Sequence, residues 1–418
     1  MNETCDVAPV AVAGLALPDA GPAPRRLAVP RLAGLPALYL LASLIVSLLA
    51  ASAAPTPLYA TYAARWGFSP IATTVVFGIY AVAVLTSLLV LGRLSDHVGR
   101  RPVLLAALAV QVVSMLAFTT AAGVPGLLAA RVIQGLSTGA ALGAIGAGML
   151  DIDRQRGTLA NAMSPGVGTG TGALLSGLAV RYLPAPTHLI YLALLGVLVV
   201  QAIGVALIRE TVTRSPGALA SLVPEVRLPR SVRTQLLAAT PVLFAVWALA
   251  GLYGALGPAL VRALTGSADV VLGGLSLTVL TVTAVASVFA LRTAPPARVL
   301  VTGIGALVAG VAVTMLGLTL GSVGVFFAGT AISGAGFGSG FQGGIRLVVP
   351  RAAAHERAGV LSLLFVVSYL GMGIPAVAAG FLAVHGAGLL GAARYYGAAL
   401  IVLALLALLA LLRERKNA

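Results

Sequence analysis

The sequence predicts an all-α membrane protein with twelve transmembrane helices in two pseudo-symmetric six-helix bundles, and three observations predict it. Of 418 residues, 59% are hydrophobic and 9% charged, where a soluble domain carries roughly a quarter charged, and the mean hydropathy is +1.05. Apolar stretches of about 20 residues recur along nearly the whole chain, the length at which a helix rising roughly 1.5 Å per residue crosses a core of about 30 Å. The basic residues stand in ones and twos at the ends of those stretches, as membrane orientation requires.

Apolar runs cut by Gly, Pro and charge give spans at 36–54 (with an extension to 59), 71–91, 102–121, 126–150, 158–180 and 189–208, then 236–260, 270–291, 299–320, 323–349, 358–384 and 389–412. Ser69 before Pro70 supplies a capping residue and a first-turn proline for the second span, and Ser267 and Asp269 offer capping oxygens before the eighth.

With the N-terminus in the cytoplasm, 21 of the 26 basic residues fall on inner tails and loops, four on outer positions (Arg65, Arg181, Arg262, Arg394), and Arg131 inside a span. The positive-inside bias therefore places both termini in the cytoplasm of a cell-membrane protein. The formal charge of +15 is not a nucleic-acid footprint, because no basic patch with interleaved aromatics exists. A lone Cys5 excludes internal disulfides and cysteine metal sites. The segment 1–35 reads as a flexible cytoplasmic tail, and Glu3 and Asp6 ahead of its apolar patch argue against a cleaved secretory signal.

The stretch 209–235 is the long polar interruption, with three prolines and seven charges. It divides the chain into a bundle at 36–208, a cytoplasmic linker, and a bundle at 236–412, with a short tail at 413–418. The halves echo each other: Arg131-Val-Ile-Gln-Gly135 aligns with Thr330-Ala-Ile-Ser-Gly334 at an offset of 199 residues, as Leu38 does with Leu237. A parallel duplication about the membrane normal accounts for this.

Between the second and third spans lies Gly92-Arg-Leu-Ser-Asp96-His-Val-Gly99-Arg100-Arg101-Pro102. Glycines allow two helix ends to turn within a few residues, and Asp96 stands four before Arg100, a pairing distance on a helix. This loop resembles the signature of the major facilitator superfamily, with His97 where the family usually has Arg. The resemblance implies a bacterial drug or metabolite carrier, and a cytoplasmic latch made by Gly92, Asp96, Gly99, Arg100 and Arg101. The other reading of the loop is a positive-inside anchor. The corresponding loop, Leu291 to Arg298, lacks the aspartate and glycines, so any such latch is one-sided.

Arg131, Gln134 and Gly135 resemble a second family signature, Arg-x-x-Gln-Gly, in the fourth span. A buried arginine costs about 2.5–3.5 kcal/mol on insertion scales, so it must face protein or water. The resemblance implies proton coupling; the alternative is a structural arginine bonded to carbonyls. Gly168, Gly172 and Gly177 in the fifth span are similar to the family's antiporter motif, with Ala173 in place of its proline, and small residues at this spacing let helices approach closely. Arg209-Glu210-Thr211 is like the family's short acidic ending.

No acid lies deep in any span, so a neutral, anionic or lipophilic substrate fits better than a strong cation. A pocket between the halves draws on Tyr80, Thr138, Trp247, Tyr253, Ser333, Gln342 and Tyr369. Pro57 and Pro258 break the outer ends of the first and seventh spans, either as gates or as simple terminators. The expected activity is proton-coupled efflux of a lipophilic or drug-like compound by alternating access, with a metabolite symporter as the alternative. A membrane-embedded transferase using Asp151 and Asp153 is remote. The expected partners are the bilayer, a small molecule and the proton, for a monomer with no metal and no cofactor.

Overall fold

The computed structural model describes residues 31–226, 228–267, 269–353 and 356–417, the side chains of 410 and 412–417 aside. Cys5 and nearly all of the expected N-terminal tail lie outside the described residues. The chain is helical throughout its spans. In the first half these are α1 (Leu35–Ala53) continued by α2 (Pro55–Trp66), α3 (Pro70–Leu91), a one-turn α4 (Leu94–Val98) in the motif loop, α5 (Arg100–Thr119), α6 (Val124–Ile152), α7 (Arg154–Tyr182) and α8 (Pro186–Leu207). In the second half they are α9 (Arg233–Ala255) continued by α10 (Gly257–Thr265), α11 (Val270–Ala290), α12 (Pro296–Leu320), α13 (Val323–Val348), α14 (Arg357–His385) and α15 (Gly388–Asn417).

Counting α1 with α2 and α9 with α10, twelve long helical segments result among the described residues, and 11 of them are long and apolar enough to cross a membrane by length and composition. The exception is α7, whose 29 residues are diluted by glycine. It packs among the others nonetheless: a Cβ on Gly168 would meet Val46 and Leu49 of α1, and one on Gly172 would meet Ala50.

Local chemistry sets the helix ends. Asp269 accepts from Val271 N at 2.9 Å and so caps α11, whereas Ser69 occupies the cap position of α3 without a side-chain cap bond. Asp153 caps α7 through Arg156 N at 2.9 Å. The segment expected as a C-terminal tail is a continuation of α15 to Asn417. Apolar length ends at Leu412, but Arg, Glu and Lys are good helix formers and carry the helix onward.

Each half has its own core. Leu44, Ile45, Leu48, Leu108, Phe118, Ile145 and Tyr191 pack in the first, and Val246, Leu249, Leu280, Ile304, Leu307 and Phe326 in the second. Small residues set the second core's spacing: Gly303, Gly310 and Gly317 of α12, and Gly329, Gly336 and Gly343 of α13, stand seven apart, and a Cβ on any of them would enter the partner helix. A seven-residue repeat keeps one face turned to its neighbour along the whole crossing.

The halves meet along two helix pairs. Thr278 Oγ1 of α11 donates to Gly170 O of α7 at 3.0 Å, Gly177 abuts Val271, and Gly274 abuts Ala173. On the other side, Gly78 of α3 faces Val377 of α14, and Thr74 fills the space beside Gly380. At the end of α7 remote from the motif loop, Arg181 pairs with Asp269 across the halves at 2.9 Å.

Candidate functional site

Three groups of residues are candidates for function. The first is the motif loop. Arg100 pairs with Asp96 and donates from Nη1 to Ser95 Oγ at 2.7 Å and from Nε to Asp151 Oδ2 at 3.2 Å. The first backbone N–H groups of α5 point at one carboxylate: Arg100 N reaches Glu210 Oε1 at 2.8 Å, and Arg101 N reaches Oε2 at 3.0 Å. A carboxylate at a helix N-terminus satisfies orphan donors and opposes the positive end of the dipole.

Gly99 makes this approach possible. Its φ is +108°, a backbone that side chains rarely adopt, and a Cβ there would stand 2.7 Å from Glu210 Oε2. Gly92 sits against Gly143 of α6, so close that a Cβ on Gly143 would lie 3.0 Å from Gly92 O.

The loop also holds the linker. Arg93 Nη1 pairs with Glu225 at 2.5 Å, Ser215 N donates to His97 O at 3.0 Å, and His97 Nδ1 stands 3.1 Å from both Ser215 Oγ and Pro216 O. The acid-rich candidates for metal chemistry have other occupations: Asp153 caps α7, and Asp151 binds Arg100 and Thr211.

In the second group, Arg131 is 1% exposed. It donates from Nε and Nη2 to Tyr59 Oη (3.1 and 2.6 Å) and from Nη1 to Ser52 O (2.8 Å) and Gln134 Oε1 (2.7 Å). Gln134 Nε2 in turn donates to Ala51 O at 3.0 Å. That carbonyl is available because the residue four ahead is Pro55, which has no N–H to close the helix bond. Ser176 of α7 likewise donates to Ala54 O at 2.6 Å.

The motif in α6 therefore reads the proline break between α1 and α2, and none of the four contacts of Arg131 is a carboxylate. Its guanidinium also lies 5.2 Å from the centroid of the Tyr80 ring. Gly135, one turn on, lets α3 approach: its Cβ would meet Ala83 and the Tyr80 carbonyl.

The second half repeats the joint with other chemistry. Thr330, 199 residues after Arg131, bonds Tyr253 Oη at 2.9 Å, and Thr314 lies 3.2 Å from the same oxygen. Tyr253 is thus a buried tie among α9, α12 and α13 rather than a pocket-lining residue. Ser333 is turned onto α12 beside Gly310, because the glycine stripe of that helix leaves room for it. Both depart from the pocket expected from sequence. Pro57 and Pro258 stand in the first turns of α2 and α10.

The third group is aromatic. Tyr80 of α3 and Tyr369 and Met372 of α14 are buried together, with Phe77, Leu85, Trp247 and Phe365 packed against them. Trp247 of α9 lies 4.9 Å from Tyr369, 6.3 Å from Phe337 and 5.4 Å from Phe341, ring centre to ring centre. Trp247 Nε1 is buried with no hydrogen-bond partner among the described residues. Gln342 is half-buried on α13.

Sequence reasoning missed Phe337 and Phe341, whose four-residue spacing on a glycine-rich helix was a signal. It also undervalued Glu210, whose partners are backbone groups 110 and 109 positions upstream.

Among the described residues, eleven helices long and apolar enough to cross a membrane, with the glycine-rich α7 packed among them, define a multi-pass membrane protein. The chain belongs to the Major Facilitator Superfamily, whose family description matches residues 39–324. Its fold is similar to that of a mutant form of the nucleoside transporter NupG, with a TM-score of 0.69 at 12% identity over 90% of this chain and 98% of that one. It is also similar to the human organic anion transporter MFSD10 (TETRAN), with a TM-score of 0.62 at 17% identity over 88% and 99%. No curated protein matches the sequence.

Proposed function

We propose that this superfamily transporter is a proton-coupled exporter of a neutral or anionic lipophilic, drug-like compound, working as a monomer by alternating access in the cell membrane. The arginine-rich face and both termini are cytoplasmic in this reading. The observation that carries it is the placement of contacts between the halves. They include a half-exposed ion pair, Arg181 with Asp269, and glycine-lined crossings of α7 with α11 and α3 with α14, all of which can part without exposing a large apolar core. The motif loop, by contrast, is bonded within its own half and to the linker, where it can hold or release the inner ends of the helices.

Proton coupling is supported by Arg131, an uncompensated charge beside buried tyrosines that makes this half responsive to a proton elsewhere in the pathway. A non-cationic cargo is supported by the same charge and by the position of every acid in a tail, a loop or at a helix end. The nucleosides and organic anions in the names of the two similar structures are also non-cationic substrate classes.

Inverted membrane vesicles given Nile red, a neutral lipophilic dye, test the reading. Acidifying the lumen is expected to drive dye accumulation that nigericin abolishes and Asp96→Asn slows. Acid-driven uptake into right-side-out cells, with no accumulation in inverted vesicles, would establish the importer instead.

A further inference from the structure

We propose that the ring cluster formed by Tyr80, Trp247, Phe337, Phe341 and Tyr369 is the substrate site, and that it selects planar aromatic or heteroaromatic molecules, neutral or anionic, that offer a hydrogen-bond acceptor to Trp247 Nε1–H. This rests on the reading of the chain as a carrier and names the substrate class of that carrier.

The first observation is location. The rings come from four helices, α3 in one half and α9, α13 and α14 in the other. Trp247 is 14 residues along α9, Tyr369 12 along α14, and Tyr80 11 from the end of α3, so each lies about 16–21 Å from the arginine-rich end of its helix at the usual helical rise. That is mid-membrane, between the halves.

The second observation is incomplete burial. Trp247, Phe337, Phe341, Phe365 and Phe77 are only partly covered, although they sit on the sides of their helices turned toward other helices. Aromatic faces left bare in the interior of a helical bundle gain by taking up another flat ring, in offset or edge-on contact.

The third is the indole nitrogen. Trp247 Nε1 is inaccessible and has no acceptor among the described residues, and a buried donor left unpaired carries a penalty that an arriving acceptor removes. A polar group held in wait on an otherwise apolar wall is how such pockets fix orientation.

Charge selects further. An aromatic cage by itself favours cations, but here the Arg131 guanidinium lies against Tyr80, 5.2 Å from the ring centre, and is bonded only to neutral groups. A cation in the cluster would meet this charge in a medium of low dielectric. An anion would be attracted by it, and a neutral acceptor would not be repelled.

The test is equilibrium binding to the full-length protein in detergent, which requires no transport. The probes are 2-naphthoate, naphthalene, 2-(aminomethyl)naphthalene and cyclohexanecarboxylate. The expected order is 2-naphthoate tightest, the ammonium and the saturated acid each at least about 10-fold weaker, one charge-assisted hydrogen bond or one stacked ring being worth that much. Trp247→Phe keeps a ring and loses the N–H; it is expected to weaken 2-naphthoate about 10-fold and to leave naphthalene unchanged. Phe341→Leu, a second and independent variant, is expected to weaken both.

Equal binding of the ammonium compound, equal binding of the saturated acid, or unchanged naphthoate affinity in Trp247→Phe with an unchanged melting temperature would overturn the proposal. Because binding is read without flux, those results leave the vesicle assay of export to stand or fall separately.

Discussion

Replacing Glu210 by Gln removes a charge and one acceptor from the N-terminus of α5 while leaving the volume almost unchanged. Arg100 N and Arg101 N use different oxygens of this carboxylate, at 2.8 and 3.0 Å, so the amide can satisfy one N–H and turns its own NH₂ toward the other. A hydrogen bond to a charged group is worth about 1.5–3 kcal/mol on removal, and the helix-end charge adds about 0.3–1 kcal/mol. Glu210 is half-buried, so solvent screening draws the total toward the low end, about 2 kcal/mol. By the scaling of domains the size of one half, that is a fall of roughly 4–8 °C in apparent melting temperature.

Asp96 makes the informative contrast. Its side chain is 52% exposed in its pair with Arg100, so Asp96→Asn is expected to cost well under about 1 kcal/mol. Melting of the two purified variants in one detergent, followed by tryptophan fluorescence, reads both. If Glu210→Gln melts with the wild type, or if Asp96→Asn falls further than Glu210→Gln, the assignment of Glu210 as the keystone of this loop is wrong.

Three other outcomes follow from the geometry. In a Cys5→Ser background, Arg181→Cys and Asp269→Cys joined by a short bis-thiosulfonate linker are expected to stop dye flux, with reduction restoring it; flux through the cross-linked protein would show that this face does not open. Gln134→Leu strips the donor from the Ala51 carbonyl and is expected to cost about 1–3 kcal/mol, but less in a Pro55→Ala background, where the helix N–H returns; strictly additive melting shifts would refute the coupling. Gly172→Val places a Cβ 2.5 Å from Ala50 Cα of α1 and is expected to abolish recovery of folded protein, while Gly305→Ala, which has nothing within 4 Å, is expected to be neutral by size-exclusion profile.

The membrane architecture was legible because hydrocarbon imposes it locally: a helix satisfies its own backbone, so apolar length alone marks a span. Prolines 55, 57 and 258 announced the two broken helices for an equally local reason, the missing N–H. The loop motif was legible as a turn and a pair, since Asp96 and Arg100 are near neighbours in sequence. Its true partners were not, because Glu210 and Glu225 both arrive from the linker, and no spacing rule connects a carboxylate to backbone donors in a distant helix. Tyr253 and Ser333 were assigned to the pocket from depth alone. Depth is set by position along a span, whereas facing is set by rotation about it, and that rotation depends on which glycine stripe the neighbouring helix presents. The seven-residue glycines of α12 and α13 held that information, but only pairing the two helices turns it into a direction.

At positions 199 residues apart the two halves are alike in close packing and unlike in electrostatics. Gly135 and Gly334 admit the neighbouring helix at equivalent places, against Ala83 in one half and Thr283 in the other, so close approach of backbones has been kept in both. At the adjoining position the residue is Arg131 in one half and Thr330 in the other, and each binds a tyrosine of the broken helix in its own half. A tyrosine hydroxyl can be held by a hydroxyl as well as by a guanidinium, so packing alone does not require the arginine, and the second half is the demonstration. What the arginine adds is a fixed positive charge on one side of the ring cluster and a fork that also gathers the carbonyl of Ser52 at the helix break. A ligand seated at the ring cluster, as proposed above, would therefore meet an asymmetric field. Substituting Thr for Arg131 would make the halves equivalent at this joint: folding should survive better than with Ala, because Tyr59 regains a partner, while discrimination against cationic probes should be lost. Retained discrimination in a folded Arg131→Thr variant would mean that the field comes from elsewhere.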